Sequence, residues 1–277
     1  MDMTNFKSNI FINQDRIITG NDLYDCLVKY IEYGTDLYIE FDLTSFGMLH
    51  PDIKTRDQLA STIFSILYEV SGPDATIIIP SFTFSWGEDS NGIYDLKSAT
   101  HLGLLPNWLL KQKETVRTID PMYSFLIKGK KSKWYSEYCN NSFGSCSLFK
   151  KLHDRNAKLI GFGLNQYDPT FIHYVEQFFD ENISSIGYRY LEKFTGKIQN
   201  NNTLLEINSH QSFVRNLAYS VDYDVSNLTN DLLDQNLLFC EIFFGAKICI
   251  SDCESVFKTS MLGLHKDLNY FRKKNDE

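Results

Sequence analysis

DPTFIHYVEQFF (168–179) offers the clearest pairing of a proton acceptor with a carboxylate in this sequence. Pro169 suits a first helical turn and Asp168 or Thr170 can cap it, so His173 and Glu176, at i and i+3, fall on one helical face. A histidine beside a carboxylate is a general base of fixed tautomer, and the positive helix end favours the neutral imidazole near pH 7. Such a base takes a proton from an amine or hydroxyl nucleophile. Spacing alone also fits an ordinary surface pair. HxxE supplies two conceivable metal ligands, but neither HExxH nor a second His/Cys cluster accompanies it, so no metal is expected.

Three further stretches hold groups suited to a ligand. In YIEFDLTSFG (38–47), Asp42, Thr44, Ser45 and Gly47 follow a buried strand, where short hydroxyls and backbone donors approach a ligand or simply cap a turn. PSFTFSWG (80–87) is similar, with Thr83 and Trp86 among its strand-end residues. VRTIDPMYSF (116–125) contributes Arg117, which can hold a phosphate or carboxylate bidentately or pair locally with Asp120, together with Thr118 and Ser124. FGSCS (143–147) lacks the GxSxG of a nucleophile elbow, so Ser145 and Cys146 are weak nucleophile candidates.

The elements that must position these groups follow from hydrophobic spacing. Residues 22–33 read as a helix followed by Gly34 and the strand DLYIEF; 52–70 is a long amphipathic helix, and ATIIIPSFTF (75–84) a strand buried on both faces. That order predicts a β-α-β crossover with parallel strands. LGLLPNWLLKQ (102–112) reads as helix, 114–118 and 124–129 as extended, and AKLIGFG (157–163) as another buried strand entering a glycine loop. The expectation is an α/β fold in a single domain, 1–277: a mainly parallel central sheet flanked by helices, with a β-rich C-terminal addition around RYLEKFTGKI and FFGAKICISD. IQNNNTLLEINS (198–209), the most polar stretch, is expected as a surface loop. Ligands should collect at the carboxyl edge of the sheet.

Composition narrows the classes. The 277 residues include 27 Lys+Arg and 35 Asp+Glu, a net charge of -8 that argues against nucleic acid as partner. No apolar run is long enough for a bilayer, and MDMTNFKSNIF lacks a secretory pattern, so a cytoplasmic protein without membrane contact is expected. Six cysteines without a CxxC pair predict neither disulfides nor zinc, with Cys240 and Cys249 as reduced core residues. The 21 Phe and 16 Tyr leave room for an apolar homodimer face.

The ordered set LYIEFDLTSFG (37–47), IIIPSFTF (77–84), GLLP (103–106), VRTIDPMYSF (116–125), LIGFG (159–163), TFIHYVE (170–176) and YRYLEKF (188–194) resembles the aminoglycoside 3-N-acetyltransferase family, antibiotic N-acetyltransferases that use acetyl-CoA. The resemblance spans roughly residues 16 to 272. It implies that His173 is the general base with Glu176 in the matching acidic place, and that coenzyme A lies along Thr44, Ser45, Gly47, Thr83, Arg117, Thr118 and Ser124. Drug-modifying members usually carry His-Ser-Ser where Glu40, Phe41 and Asp42 stand, and His-Pro where Asp120-Pro121 stands.

Those departures make the chain look more like relatives that acylate a nucleotide-linked amino sugar for surface polysaccharides. On that reading Asp42 and Asp120 grip the amine-bearing sugar, Trp86 and Tyr188 line its place, and Arg189 and Lys193 offset the pyrophosphate. Direct transfer from acetyl-CoA to the amine within a ternary complex is the expected reaction. The alternatives are resistance-type acetylation of an aminoglycoside and a non-catalytic member that binds coenzyme A or a partner.

Overall fold

The computed structural model describes residues 7–13, 16–87, 91–200, 203–218, 222–243 and 245–273. Strands β1 (Asn9–Asn13) and β2 (Arg16–Thr19) form a hairpin that leads into helix α1 (Gly20–Leu27), started by a reciprocal cap between Thr19 and Asp22. Then come β3 (Leu37–Phe41), a single 3-10 turn (Leu43–Phe46), β4 (Met48–Leu49), α2 (Arg56–Ser71), β5 (Thr76–Pro80), β6 (Ile93–Asp95), α3 (Leu104–Leu109), β7 (Val116–Arg117) and β8 (Phe125–Gly129). Short helices α4 (Ser132–Tyr135) and α5 (Leu148–Asp154) precede β9 (Lys158–Phe162) and α6 (Ile172–Asn182). The long ribbon β10 (Arg189–Asn200) and β11 (Thr203–Arg215) is followed by α7 (Ser226–Asp234), β12 (Phe239–Phe243), β13 (Ala246–Asp252) and α8 (Cys253–Lys266).

The main sheet has the order β12-β13-β9-β3-β5-β8-β7. Its two central pairings, β3 with β5 and with β9, are parallel, as the crossover through α2 predicts. Every outer pairing is antiparallel, so the sheet is mixed and the mainly parallel expectation is corrected. Runs buried on both faces, such as TIIIP, look alike in parallel and antiparallel surroundings, and hydrophobic pattern therefore left strand direction open. Alternation within β3 sorts the two cores. Leu37 and Ile39 join the cluster built with α1 and α2, while Tyr38 joins the cluster built with α5, α6 and α8.

The IQNNNTLLEINS stretch is no surface loop. Apart from 201 and 202, which lie outside the described residues, it forms the distal part of the β10–β11 ribbon, and β6 pairs parallel to β10. Ile198 closes a small core with Trp86, Tyr94 and Met122 while Asn200, Thr203 and Leu204 are exposed, an inward placement hidden by the stretch's mean polarity.

The cysteine expectation is also corrected. Cys240 and Cys249 are directly opposed in the β12–β13 pairing, with Cα atoms 4.1 Å apart, and are bonded. Cys139 and Cys146 are bonded too, while Cys26 and Cys253 are buried thiols. Neither pairing could be read without the strand register and the loop path. Among the described residues no helix is long and apolar enough to cross a membrane.

Candidate functional site

Helix α6 brings the site together, though not through the expected cap. Its N-cap residue is Phe171, which provides no side-chain cap, and Thr170 instead donates from both N and Oγ1 to Glu40 Oε1 on β3, at 3.2 and 2.6 Å. The first turn is thereby tied to the central strand. His173 and Glu176 are then presented together, with His173 Nδ1 2.7 Å from Glu176 Oε2.

Glu176 is fully buried and fully used. Tyr188 donates to Oε1 at 2.8 Å and Tyr223 at 3.1 Å, while Arg189 Nε lies 3.3 Å from Oε2. Burial pushes its carboxyl up, but Arg189, the His173 hydrogen bond and Tyr188 outweigh that and hold it below its ordinary value, so it is a carboxylate. It therefore accepts from His173, which fixes the proton on Nδ1 and leaves Nε2 as the basic atom. Nε2 in turn receives a hydrogen bond from Arg189 Nη2 at 3.3 Å. Burial, followed by the Arg189 charge, lowers the His173 pKa against the opposing pull of Glu176 and Asp168. The imidazole is neutral near pH 7, as a base must be.

Two cavities lie at the carboxyl ends of β3 and β5. The smaller, about 460 Å³, is lined by Glu40, Asp42, Asp168, Thr170, Phe82 and apolar neighbours. The larger, about 730 Å³, is lined by Thr44, Gly47, Arg56, His101, Lys111 and Trp108 among others. They share Phe41, Asp42, Leu102 and Pro106, so a molecule in one abuts a molecule in the other. His173 and Glu176 line neither cavity. Packed aromatic rings lie between the smaller cavity and His173: Phe82 meets Tyr123 at 5.0 Å, Tyr123 meets Phe143 at 4.6 Å, and Phe143 meets His173 edge-on at 5.7 Å between centroids. Burial pushes the Glu40 and Asp168 carboxyls above their ordinary values.

Of the residues assigned to coenzyme A, Thr44 and Gly47 line the larger cavity. Gly47 has a second reason to be glycine: at φ +104° an added Cβ would lie 2.4 Å from Ile12 O. Ser45 Oγ donates to Asp42 O, and Thr83 accepts from Ser85, away from both cavities' lining. Arg117 is spent inside the fold. Its guanidinium donates to the Ser81, Leu96 and Ser98 carbonyls and to Ser124 Oγ, so neither a phosphate role nor a pair with Asp120 is available. Ser124 donates to Ser81 O and Thr118 Oγ1 accepts from Phe125 N, both interior contacts.

The acceptor assignments divide similarly. Asp42 caps the 3-10 turn by accepting from Thr44 and stands where the cavities meet. Asp120 accepts from Met122 N, Tyr123 N and His210 Nε2 and lines neither of the two cavities. Trp86 is buried, its indole N–H on Lys197 O. Tyr188 supports Glu176, Arg189 is buried against the dyad, and Lys193 is exposed on β10. Tyr223, Arg56 and Lys111 were missed because each belongs to the site only through chain crossings with no local motif. Glu40 did leave a signal, a carboxylate inside a strand otherwise reading as buried.

With this geometry in place the comparisons with known proteins are specific. Among solved structures, aminoglycoside acetyltransferase AAC(3)-Xa superposes with TM-score 0.72 at 13% identity, covering 90% of this chain and 93% of its own. AAC(3)-IIb gives 0.70 at 14% identity, covering 91% and 98%. AAC-IIIb, solved as a binary complex with CoASH, gives 0.67 at 14%, covering 91% and 98%. No curated protein matches the chain. These likenesses fix the fold. The protein is an acyl-CoA-dependent N-acetyltransferase, with coenzyme A as its acyl carrier. Residues 51–260 match the family model described as aminoglycoside 3-N-acetyltransferase, and the chain belongs to that family.

The family match and these structures overturn the nucleotide-linked amino-sugar reading, along with its link to polysaccharide synthesis. The site agrees with the correction. Arg189, one of the two cations meant for a pyrophosphate, is committed to Tyr223, Phe213 O and His173, and Lys193 lines neither of the two cavities.

Proposed function

We propose that this chain acetylates an amine of an aminoglycoside, with His173 as general base and Glu176 as the group that orients it. The observation behind the choice of acceptor is the smaller cavity: its lining includes the carboxyls of Glu40, Asp42 and Asp168 and no lysine, arginine or histidine. A polycationic sugar gains Coulomb energy in such a site, whereas an anion would be repelled. The larger cavity differs in carrying cations, with Arg56 and Lys111 set among the carboxyls of Asp42 and Asp57, and the two cations are what suits it to the phosphates of coenzyme A.

Coenzyme A supplies the acyl group as an activated thioester. The chain supplies the proton chemistry. As the acceptor nitrogen bonds to the acyl carbon and the carbon–sulfur bond breaks, His173 Nε2 removes the ammonium proton of the addition product and can return it to the departing sulfur. Glu176 stabilises the transient imidazolium through Nδ1–H. Asp42, at the junction of the cavities, holds the acceptor next to the donor.

The test is thiol release from acetyl-CoA with kanamycin- and gentamicin-type acceptors, with the product's acetylated position read by NMR. His173→Gln should lower kcat by about 10²–10⁴-fold with little change in acetyl-CoA affinity. Failure of every aminoglycoside to release thiol would reject the acceptor, and near-normal turnover of His173→Gln would reject the base.

A further inference from the structure

The atom that must accept the proton is already taken. With Nδ1–H committed to Glu176, the single lone pair of His173 lies on Nε2, and Arg189 Nη2 donates to it at 3.3 Å. The rest of that guanidinium is firmly held: Nε donates to Tyr223 at 2.6 Å, Nη1 donates to Phe213 O, and the charge lies against Glu176. Of the three hydrogen bonds to Tyr223, Phe213 and His173, the one to His173 is the longest and the easiest to give up. An acceptor amine approaching as nucleophile offers the same kind of N–H to the same lone pair.

We propose that Arg189 is a positioning residue: its Nη2–H stands in for the acceptor N–H in the free enzyme, holds His173 as the Nδ1–H tautomer, and yields Nε2 when the amine arrives. The inference rests on His173 being the base of the transfer proposed above, but not on which amine it serves.

The arrangement is consistent in charge. The groups facing His173 are Glu176 from its own helix, Asp168 from the preceding loop, Arg189 from β10 and Tyr223 from the segment before α7, with Phe143 packing on the ring. Glu176 and Arg189 balance each other while the imidazole is neutral. A proton on Nε2 would confront the guanidinium, so the base is kept free until the stand-in moves. Removing Arg189 leaves a buried Glu176 carboxylate whose natural replacement cation is protonated His173, and the variant's base should be blocked at pH values where the native base is free.

The experiment titrates His173 by ¹⁵N NMR in the free enzyme, with the signal assigned by its loss in His173→Gln, alongside pH profiles of kcat/KM. In the native protein His173 should be the Nδ1–H tautomer and titrate below 6.5, the ordinary histidine value. In Arg189→Gln its titration and the acid limb of kcat/KM should both move up by about one unit or more, with activity recovering on the alkaline side. Arg189→Lys, which keeps the charge but loses the fork, should bring the limb part-way back. An Nε2–H tautomer or an ordinary titration in the native enzyme overturns the proposal, as does an Arg189→Gln loss that is equal at every pH. The native titration needs no acceptor and, for its assignment, only the His173→Gln protein, so it succeeds or fails separately from the aminoglycoside assignment.

Discussion

Glu176→Gln tests the site at its most connected point. The substitution preserves shape and leaves an amide oxygen to accept from Tyr188 and Tyr223, whose hydroxyls lie 2.8 and 3.1 Å from Oε1. The amide nitrogen then faces Arg189 Nε and His173 Nδ1, donor against donor, and the buried guanidinium loses its counter-charge. Breaking one side of a buried ion pair costs about 3–5 kcal/mol, a large part of the roughly 5–15 kcal/mol that stabilises a typical protein. At about 2–4 °C per kcal/mol for a chain approaching this size, the melting temperature should fall by roughly 6–20 °C. To escape the clash His173 must move its proton to Nε2, which removes the lone pair that takes the amine proton, so turnover should fall by about 10²–10⁴-fold.

Calorimetry and thiol-release kinetics on the same preparation separate the two effects, because the surviving folded protein should bind acetyl-CoA normally while failing to transfer. The double variant Glu176→Gln/Arg189→Met sharpens the argument. Removing both charges should return much of the lost stability, since a buried pair replaced by neutral groups is often no less stable, while activity stays low. A Glu176→Gln protein that melts within about 2 °C of the native one and turns over normally would refute both the buried pairing and the tautomer assignment.

Arg117→Met should destabilise the protein markedly, measured by urea unfolding, because one buried and two partly buried carbonyls lose their charged donor; in what folds, the acetyl-CoA KM should be unchanged, whereas a cofactor role would raise it. Arg56→Ala and Lys111→Ala should raise that KM about tenfold each with little effect on kcat, by steady-state kinetics, since exposed charged contacts to phosphate act on binding. Glu40→Gln should raise the acceptor KM while stabilising the fold. Burial raises the Glu40 pKa above its ordinary 4.5, so the carboxylate costs stability above that pH and not below it, and the variant's advantage in melting temperature should be present at pH 7 and vanish as the pH drops below 4.5.

What the sequence made legible follows the range of each signal. The α2 crossover and the parallel β3–β5 pair were legible because a long amphipathic helix between two short apolar runs leaves little choice. His173 and Glu176 were legible because both lie on one helical turn. Nothing local separates Arg117 from Arg189: each is an arginine at a strand among aromatics and hydroxyls, yet one is locked on backbone carbonyls and the other sits on the base. The assignments of Arg117 to coenzyme A and of Arg189 to a substrate pyrophosphate share one weakness. A guanidinium's role depends on where its five donors end, and that is decided by residues 7 to 36 positions away for Arg117 and 13 to 34 for Arg189.

The same dependence explains why the departures at Glu40 and Asp42 misled. Read as sequence, acidic residues in place of His-Ser-Ser suggested a different substrate. In the structure Glu40 has two tasks at once. Its Oε1 takes three hydrogen bonds, from Tyr38 and from Thr170 N and Oγ1, and so fixes the turn that presents His173 three residues later. Its carboxyl also lines the smaller cavity beside Asp42 and Asp168. A carboxyl that anchors the helix of His173 while lining the smaller cavity ties that helix to the cavity wall. Burial raises its pKa, so its carboxylate form costs stability, and a cation in the smaller cavity would lower that cost.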